Sequence, residues 1–577
     1  METTDLRTNP VRNRTLLIFA LIFTFCLPSL WAGLMGDDYM HYAILSAKDL
    51  PIEKPHDLSL FGLFSFINGD PERNRQAMDL GVIPWWTYSG MKYAFWRPIS
   101  ELTHWVDHQL WPRTPALMHL QSVLWYLALC FLAFKLYRKT LVPAGAALLA
   151  LALFGLDSTH GFGISWIANR NGLISAVFGM ACFLTYIRWR ESGNRLIQLL
   201  SMLLMLITLL SAELGISTFG YIAAYALCCD PKGRVKGLLA AAPHFLTVMA
   251  WWLLYKSAGF GAANADGYYI DPATHPLKFI SMLLERYPVL LASQWGLVPA
   301  EVYGYSANQS INFVVASAFY LLVVLGFVIA ACIRNTNLRM WLLGMFFSLV
   351  PATTAIPQDR VLIFAGIGAS AALSHFLYTV FKTDFSFRPL PRWSAKFVGG
   401  VLVLFHLILA PLLLPVTSYS TKLIWSRFIS QKPSELTGIS DIQNKKLVII
   451  GTPLTDALSI APFRFYRGEP IPDKIWLITS LDEEFKLERI DDHSVLLTIE
   501  SGFIQGAEVK VRDFLRFPFK PNDEVFLTGL TIKIGELNDR GMPISLTLTF
   551  KEDLDSDNLL FVHWNADKEA YDILQAN

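Results

Sequence analysis

Long apolar segments recur along this chain, and they constrain its fold more than any other feature. A helix needs about 20 mostly apolar residues to cross the hydrocarbon core of a bilayer. Only 16% of the 577 residues are charged, against about 25% in soluble domains. The sequence therefore predicts a mainly α, polytopic membrane protein with about eleven transmembrane helices. The predicted spans are 15–34, 116–137, 141–157, 172–188, 195–211, 214–229, 237–256, 312–332, 340–356, 361–380 and 397–416.

The charges between these segments predict how the chain crosses the membrane. Alternate connections, taken with the N-terminal tail, carry 18 Lys and Arg residues against 5 Asp and Glu residues. Cytoplasmic connections of membrane proteins are enriched in Lys and Arg, so we expect a cytoplasmic N-terminus and a first helix that stays uncleaved. This topology places the loops 35–115 and 258–311 and the C-terminal part of the chain on the outer side.

The C-terminal part has a different pattern. From "KKLVIIGTP" onward, apolar runs are short and are separated by Gly, Pro, Asn and Asp. Four stretches read as strands, namely "SVLLTIESGFI", "AEVKVRDF", "DEVFLTGLTIKIGEL" and "ISLTLTF". We therefore predict a transmembrane domain at 1–420 and a β-rich extracytoplasmic domain at 421–577, interpreted as a structural or recognition module.

Ionisable residues collect at the predicted outer ends of the helices. Two adjacent carboxylates, Asp37 and Asp38, follow the first span in "GDDYMHYAI". Charged groups at membrane depth are costly and usually face a cavity or a partner. We therefore expect a polar cavity at this side of the bilayer. Its other candidate residues are His41, Arg97, Asp157, His160, Arg170, Glu213, Lys256, Asp359 and Arg360.

Carboxylates and cations together at a membrane surface suit the transfer of a group from a lipid-phosphate donor. A carboxylate can act as a general base toward an acceptor hydroxyl. Arg, Lys or a divalent cation can stabilise the phosphate as it leaves. The net charge of +1 argues against a nucleic acid as partner, because nucleic-acid binding requires a basic face.

Five stretches, in this order, resemble the GT-C superfamily of multispanning glycosyltransferases. They are "GDDYMHYAI", "WRPISELTHWVDHQLWPRTPALMHLQSVLWYLALCFLAFKLYRK", "ISWIANRNGLISAVFGMACFLTYIRW", "LLSAELGIS" and "IPQDRVLIFAGIGASAAL". The branch they resemble most is that of the dolichyl-phosphate-mannose protein mannosyltransferases and related bacterial membrane proteins. The resemblance covers about residues 15–380. It implies a location in a bacterial inner membrane with a periplasmic C-terminal domain.

The resemblance also implies a reaction, in which a sugar moves with inversion from a polyprenyl-phosphate donor to an acceptor on the extracytoplasmic face. Asp37 and Asp38 would then carry the catalytic base or bind a divalent cation, Mg²⁺ or Mn²⁺, and which of them is the base stays open. Membrane lipids are the other expected partner, and the acceptor is a glycan, a lipid or a protein. Six residues form the predicted substrate-binding set: Arg97, His160, Arg170, Glu213, Lys256 and Arg360.

In one respect this sequence departs from the branch. Ala212 stands where the branch has a Lys before the Glu that matches Glu213. The substitution removes one cation from the expected donor site.

Other interpretations stay open. Asp37 or Asp38 could simply cap the helix that begins near Tyr39. Arg97 and Glu101 could form an i,i+4 pair on an amphipathic interfacial helix. "HWVDH" is similar in spacing to an H-x-x-E-H metallopeptidase motif, with Asp in place of Glu. At the level of the whole chain, the alternatives are a non-catalytic membrane protein that presents the β domain, and a lipid or solute transporter.

Overall fold

The computed structural model describes residues 10–46, 62–265, 267–296, 298–304, 311–382, 392–428, 432–437, 439–505 and 510–575. Its α-helices are α1 (Pro10–Cys26), α2 (Asp37–Ser46), α3 (Pro71–Asp79), α4 (Pro98–Leu110), α5 (Pro115–Thr140), α6 (Ala144–Gly155), α7 (Gly161–Ser165), α8 (Arg170–Ser192), α9 (Arg195–Leu209), α10 (Ser217–Cys228), α11 (Arg234–Ser257), α12 (Pro276–Gln294), α13 (Ala300–Gly304), α14 (Ile311–Cys332), α15 (Thr336–Leu349), α16 (Ile363–Lys382), α17 (Arg392–Val403), α18 (Ala410–Thr417), α19 (Ser420–Phe428), α20 (Leu454–Ala457) and α21 (Ile460–Arg467). A π-helical stretch, Leu404–Leu409, joins α17 to α18.

The strands are short and lie mostly in the C-terminal part. They are β1 (Ser65–Asn68), β2 (Lys92–Ala94), β3 (Gly261–Ala263), β4 (Lys446–Ile450), β5 (Lys474–Thr479), β6 (Lys486–Arg489), β7 (Ser494–Thr498), β8 (Glu524–Leu527), β9 (Leu530–Ile534), β10 (Ser545–Phe550), β11 (Leu559–Asn565) and β12 (Ala570–Leu574).

The helices confirm the predicted mainly α membrane protein. Within the described residues, seven helices are long and apolar enough to cross a bilayer. An eighth span results if the bent pair Ala144–Gly155 and Ser158–Ser165 is counted as one. Helices lie at all eleven predicted segments, but α9, α10 and α15 have 15, 12 and 14 residues. The number eleven therefore stays a prediction.

The chain divides into two compact units. The membrane unit comprises residues 1–34, 96–259 and 271–422. The second unit comprises residues 35–95, 260–270 and 423–577. The predicted outer loop 35–115 is thus shared between the units, and a short piece of the loop 258–311 joins the C-terminal part.

Close helix contacts in the membrane unit depend on glycine. The Tyr221 hydroxyl in α10 donates to the Phe364 carbonyl at 2.6 Å and accepts from the Gly368 amide of α16 at 3.0 Å. A Cβ atom at Gly368 would lie 2.6 Å from the Trp341 carbonyl oxygen of α15. Because that oxygen belongs to the backbone, α15 and α16 approach this closely only with glycine at this position.

The second unit contains three sheets. β1, β2 and β3 form an antiparallel sheet, and a five-stranded antiparallel sheet has the order β6-β7-β10-β9-β8. The remaining sheet has the order β12-β11-β4-β5, in which β4 is parallel to both β5 and β11. Two short helices, α20 and α21, connect β4 to β5, as parallel pairing requires a crossover. The C-terminal part is thus α/β in this region, besides being rich in strands.

The core of the second unit includes residues from the predicted outer loop 35–115. Trp85 and Trp86 are fully buried together with the apolar residues of β4 and β5. The Trp85 indole donates to the Ile478 carbonyl at 2.9 Å. The Asp79 carboxylate accepts from the Trp476 indole at 3.2 Å and from the Thr528 amide at 2.9 Å. Residues 62–95 are therefore part of this fold.

Three of the four predicted strand stretches form strands. "SVLLTIESGFI" contains β7, "DEVFLTGLTIKIGEL" forms the hairpin of β8 and β9, and "ISLTLTF" forms β10. The prediction for "AEVKVRDF" is wrong over residues 510–514, which form a turn; residues 506–509 lie outside the described part. In the described part of this stretch, the Arg512 guanidinium lies 3.9 Å from the centre of the Phe519 ring. The Asp513 carbonyl accepts hydrogen bonds from the Arg516 and Phe517 amides. These local contacts favour a turn over a strand.

Candidate functional site

The twin acids lie in a closed turn at the start of α2. The Met35 amide donates to Oδ2 of Asp38 at 2.9 Å, and the Asp38 amide donates to the Met35 carbonyl at 2.9 Å. Gly36 has φ of +48°, a conformation that glycine adopts without strain. Asp38 is 4% exposed, whereas Asp37 is only partly buried. The two acids therefore differ, since Asp38 closes the turn and Asp37 stays accessible.

The face of α2 that follows the acids is aromatic and buried. The His41 ring stacks on Phe66 at 5.6 Å and meets the edge of Phe64 at 4.8 Å. Tyr39 is 6% exposed. Burial raises the pKa of the Tyr39 phenol, and the neighbouring Asp38 raises it further. His41 and Tyr39 thus pack in the interior, and the two carboxylates of α2 lie in its first turn.

In the membrane unit, Arg97 pairs with Glu213. Arg97 Nε donates to Glu213 Oε2 at 2.8 Å, and the other guanidinium contact is 2.7 Å. The Ser100 hydroxyl donates to the Ser211 carbonyl at 2.8 Å, which joins α4 to the segment before Glu213. The i,i+4 alternative, Arg97 with Glu101, is therefore not the pairing identified here. Arg97 and Glu213, 116 residues apart, are two predicted site residues that the fold brings together.

Arg170 lies in a buried network with Asp107. Its NH1 nitrogen donates to Asp107 Oδ2 at 2.5 Å and to Gln121, while its other nitrogens donate to the Ser122 hydroxyl at 3.0 Å and the Met118 carbonyl at 2.7 Å. Burial raises the pKa of Asp107, and the Arg170 charge opposes that rise. The network ties α4 and α5 to the start of α8. A role for Arg170 at the donor phosphate stays a prediction.

His160 follows the break after α6 and is fully buried. Its Nδ1 lies 2.9 Å from the Tyr126 hydroxyl and 3.1 Å from the Phe154 carbonyl. A Cβ atom at Gly366 would lie 3.0 Å from His160 Nε2 and 3.2 Å from Gln294 Oε1. The Gln294 amide donates to Asp157 Oδ2 at 3.2 Å. His160 therefore belongs to a buried polar cluster within the membrane unit.

Arg360 donates hydrogen bonds to two side-chain amides. It donates to Asn169 Oδ1 at 2.9 Å and to Gln358 Oε1, and it lies 4.7 Å from the centre of the Trp166 ring. Its neighbour Asp359 accepts from the Ser293 hydroxyl at 2.6 Å and from the Ala300 amide at 2.9 Å. The two adjacent residues thus have different hydrogen-bond partners.

Lys256 pairs with a carboxylate beyond the end of its helix. Its Nζ donates to Asp271 Oδ2, and the Lys256 side chain is about a quarter exposed. Asp271 also caps the following turn, because its Oδ1 accepts from the Ala273 amide at 2.9 Å. The contact anchors the segment that leads into α12.

The chain resembles membrane glycosyltransferases. Over 154 residues, which are 26% of this chain, it is 25% identical to protein O-mannosyl-transferase TMTC3 of Mus musculus and, to the same extent, of Homo sapiens. The aligned stretch spans 17% of the length of these relatives. No protein-family model matches the chain. The predicted resemblance to the protein mannosyltransferase branch is confirmed over this stretch.

Solved structures with a similar fold include two further transferases. The oligosaccharyltransferase of Archaeoglobus fulgidus, in complex with Zn and sulfate, gives a TM-score of 0.40 at 13% identity over 77% of this chain and 61% of that one. ArnT from Cupriavidus metallidurans bound to undecaprenyl phosphate gives 0.36 at 13% identity over 79% of this chain and 85% of that one. At these values the likeness assigns no residue.

Sequence reasoning missed several partners of the predicted residues. Asp107, Asn169 and Asp271 each contact a predicted cation, and none of them was predicted as its partner. For Asp107, the i,i+3 spacing from His104 was visible, but it suggested a metal motif instead of an ion pair. Partners such as these are set by tertiary packing, so only the fold reveals them.

Proposed function

We propose that this protein is a membrane glycosyltransferase that moves a sugar from a polyprenyl-phosphate donor to an acceptor hydroxyl on the extracytoplasmic face. The observation that carries the proposal is the turn at the start of α2, where one acid is bound within the turn and the other is accessible. The similarity to protein O-mannosyl-transferases supports the same reaction class. Capping alone needs only one of the two acids.

Asp37 is the proposed general base and Asp38 its positioning residue. Asp38 accepts from the Met35 amide and is buried, so its carboxylate holds the turn in place. Asp37 occupies the first helical position, where the amide groups of α2 stabilise negative charge. An accessible carboxylate in a fixed turn is what proton abstraction from an acceptor hydroxyl requires.

The proposed step balances as a displacement at the anomeric carbon. The acceptor oxygen forms a bond to that carbon and loses its proton to Asp37. The bond between the anomeric carbon and the phosphate oxygen breaks, and the polyprenyl phosphate leaves with the electron pair. A single displacement inverts the anomeric configuration. The transition state has oxocarbenium character, as in glycoside hydrolysis.

Arg360 is the cation that we propose for the donor phosphate. Its hydrogen bonds to the side chains of Asn169 and Gln358 orient the guanidinium, and its charge also acts on the Glu301 carboxylate. Trp166 supports the plane of the group. Arg97 and Lys256 instead contact carboxylates, and Arg170 is enclosed by its network. We propose that Arg97, Lys256 and Arg170 contribute to substrate binding less directly. Glu213 and His160 would help to form the same membrane unit.

A divalent cation at Asp37 or Asp38 stays a prediction. Across the part of the chain that the structure describes, no group of three or more His, Cys, Asp or Glu side chains is arranged to hold a metal ion. The described residues do not make a closed metal site, and the proposed transfer does not depend on a metal ion. Transfer measured after dialysis against EDTA, with and without added Mg²⁺ or Mn²⁺, decides the question.

The proposed location is a bacterial inner membrane with the N-terminus in the cytoplasm. The bias of Lys and Arg toward alternate connections supports this orientation. Labelling of single cysteines from outside intact cells tests it. A cysteine at Asp492 should react with an impermeant maleimide, and a cysteine at Arg195 should not. The reverse pattern would place the second unit in the cytoplasm and contradict the proposal.

Sugar transfer by aspartate variants tests the chemistry. Purified protein in detergent is incubated with a radiolabelled polyprenyl-phosphate sugar and cell-envelope acceptor. Asp37→Asn should lower kcat by about 10²–10⁴-fold, the range for loss of a general base. Asp38→Asn should lower kcat less and also lower thermal stability. Asp70→Asn is a matched control, because Asp70 caps α3 through the Glu72 and Arg73 amides in the same loop.

The outcome separates the three classes of function. Full transfer by both variants at positions 37 and 38 would refute the mechanism. A wild type that transfers no sugar, yet exchanges labelled lipid or solute in a vesicle counterflow assay, would indicate a transporter. If the intact protein shows neither activity, the remaining interpretation is a non-catalytic membrane protein that presents its second unit.

A further inference from the structure

The helix that carries the twin acids packs against a helix near the other end of the sequence. Tyr39 of α2 meets Phe463 of α21 edge-on, with ring centres 5.1 Å apart. Tyr42 meets Phe465 at 6.4 Å. All of these residues belong to the second unit. The contact therefore joins the first outer loop to the C-terminal part within one fold.

Tyr466 is the ring shared by both tyrosines of α2. Its centre lies 5.4 Å from that of Tyr39 and 4.8 Å from that of Tyr42, at interplanar angles of 76° and 83°. Edge-to-face contacts of this kind have a preferred geometry. Two such contacts from one ring fix both the distance and the rotation of α2 relative to α21.

The contacts matter because α2 is short. It has ten residues, and isolated helices of this length are marginal in water. Its orientation is therefore set by packing instead of by its own hydrogen bonds. Asp38 and Tyr42 are four residues apart and so lie on one face of the helix. A change at the Tyr42 contact is thus transmitted along that face to the turn that holds the acids.

The opposite side of the contact is also supported. Phe463 is buried, and the Arg467 guanidinium lies 4.2 Å from the centre of its ring. The Arg464 side chain donates to the carbonyls of Pro470 and Ser434 at 2.6 and 2.8 Å. These bonds fix α21 to the segments around it, so α21 is a rigid surface for α2.

We propose that Tyr466 is a positioning residue for the reaction, acting through Tyr39 and Tyr42 to hold the carboxylates of α2 in the reactive orientation. The inference rests on the proposed function. It assigns the C-terminal part a direct share in catalysis, beyond the structural or recognition role that the sequence suggests. The contacts that carry this role are those of the Tyr466 ring with Tyr39 and Tyr42.

Steady-state kinetics of full-length variants tests the proposal. Tyr466→Ala should lower kcat by about 10–100-fold, because a displacement near 1 Å of a catalytic group costs up to about 10²-fold. The KM for the polyprenyl-phosphate sugar should stay within about twofold, since Tyr466 does not touch the donor. Tyr466→Phe keeps the ring and should retain wild-type kcat within about threefold.

A matched control removes a buried ring elsewhere in the same unit. Tyr571 of β12 packs edge-on against Trp564 at 5.3 Å and is 6% exposed. Tyr571→Ala should lower the thermal midpoint, yet the folded fraction should keep its kcat. Hydrogen exchange adds a readout that does not depend on activity. In Tyr466→Ala, the amides of α2 should exchange faster while those of β4 do not.

Several results would overturn the inference. One is wild-type kcat for Tyr466→Ala; another is an equal loss of kcat in Tyr571→Ala. If Tyr466→Ala does not fold, Tyr42→Ala is tested in its place, because it removes the contact between Tyr42 and Tyr466. This variant should show the same loss of kcat at constant KM. Asp37→Asn identifies which idea has failed. If it keeps full activity, the proposed function is wrong, and if only the Tyr466 variants keep it, the positioning role is wrong.

Discussion

The buried pair of Asp107 and Arg170 leads to a prediction with an internal control, because its two single variants leave different charges behind. Asp107→Asn leaves a guanidinium, which stays charged at every accessible pH. Arg170→Met leaves a carboxylate, which can take up a proton. The side chains are 2% and 0% exposed, so solvent does not screen the remaining charge. The variants should therefore differ in their dependence on pH.

The expected loss at neutral pH is large for both variants. Removing one partner of a buried ion pair costs about 3–5 kcal/mol of unfolding free energy. Arg170→Met also removes the hydrogen bonds to Gln121, Ser122 and Met118. Its loss of unfolding free energy should therefore lie at the upper end of this range. The double variant Asp107→Asn with Arg170→Met should lose less than the sum of the two, because the sites are in contact.

The sign of the pH effect follows from the pKa of Asp107. Burial raises this pKa, and the Arg170 charge opposes the rise, so Arg170→Met raises it further. A carboxyl with a higher pKa in the folded state stabilises that state at low pH and loses this effect as pH rises through the folded pKa. Arg170→Met should therefore regain part of its lost unfolding free energy between pH 7.5 and pH 4.5. Asp107→Asn regains none through this group.

The assay is unfolding of the purified protein in detergent, followed by tryptophan fluorescence at pH 4.5 and pH 7.5. Each variant is compared with wild type at the same pH, so that titration of other groups cancels. Parallel pH dependence of the two variants would refute the reasoning. A loss below about 1 kcal/mol in either variant would show that the pair is hydrated.

Two further predictions concern packing and the donor site. Gly368→Ala should destabilise the membrane unit by about 1–3 kcal/mol in thermal unfolding, because its Cβ atom would lie 2.6 Å from the Trp341 carbonyl oxygen. Gly326 has open space around it, so the control Gly326→Ala should stay within about 1 kcal/mol of wild type. Arg360→Gln should raise the KM for the polyprenyl-phosphate sugar by about 10–100-fold, the loss expected for charged hydrogen bonds. The exposed Arg516→Gln should leave the KM unchanged, and an equal effect of both would contradict a specific role for Arg360.

The parts of the fold that depend on local pattern were predictable. Hydropathy located each of the seven described helices that are long and apolar enough to cross a bilayer, and strand periodicity located β7, β8, β9 and β10. The twin acids were recognisable because charged groups at membrane depth are costly and usually face a cavity or a partner. These features need only neighbouring residues, so the sequence displays them directly.

The remaining features depend on contacts between distant residues. Trp85 donates to a carbonyl 393 positions away, and Tyr39 meets Phe463 across an even longer separation. No local periodicity encodes such a pairing. Arg97 shows the difficulty most clearly, since Glu101 offered a helical i,i+4 partner, yet the contact goes to Glu213. The roles of the six predicted substrate-binding residues stay predictions, although their surroundings are now known.

The second unit is assembled from three stretches of chain, and this has a consequence for biosynthesis. The first stretch emerges from the ribosome long before its partners exist. At about 5–20 residues per second, Trp85 waits about 20–80 s for the strand that contains Ile478. Throughout that interval two tryptophans that end up fully buried are open to solvent and to chaperones. Translation speed and chaperones that bind exposed apolar side chains should therefore affect the yield of this protein.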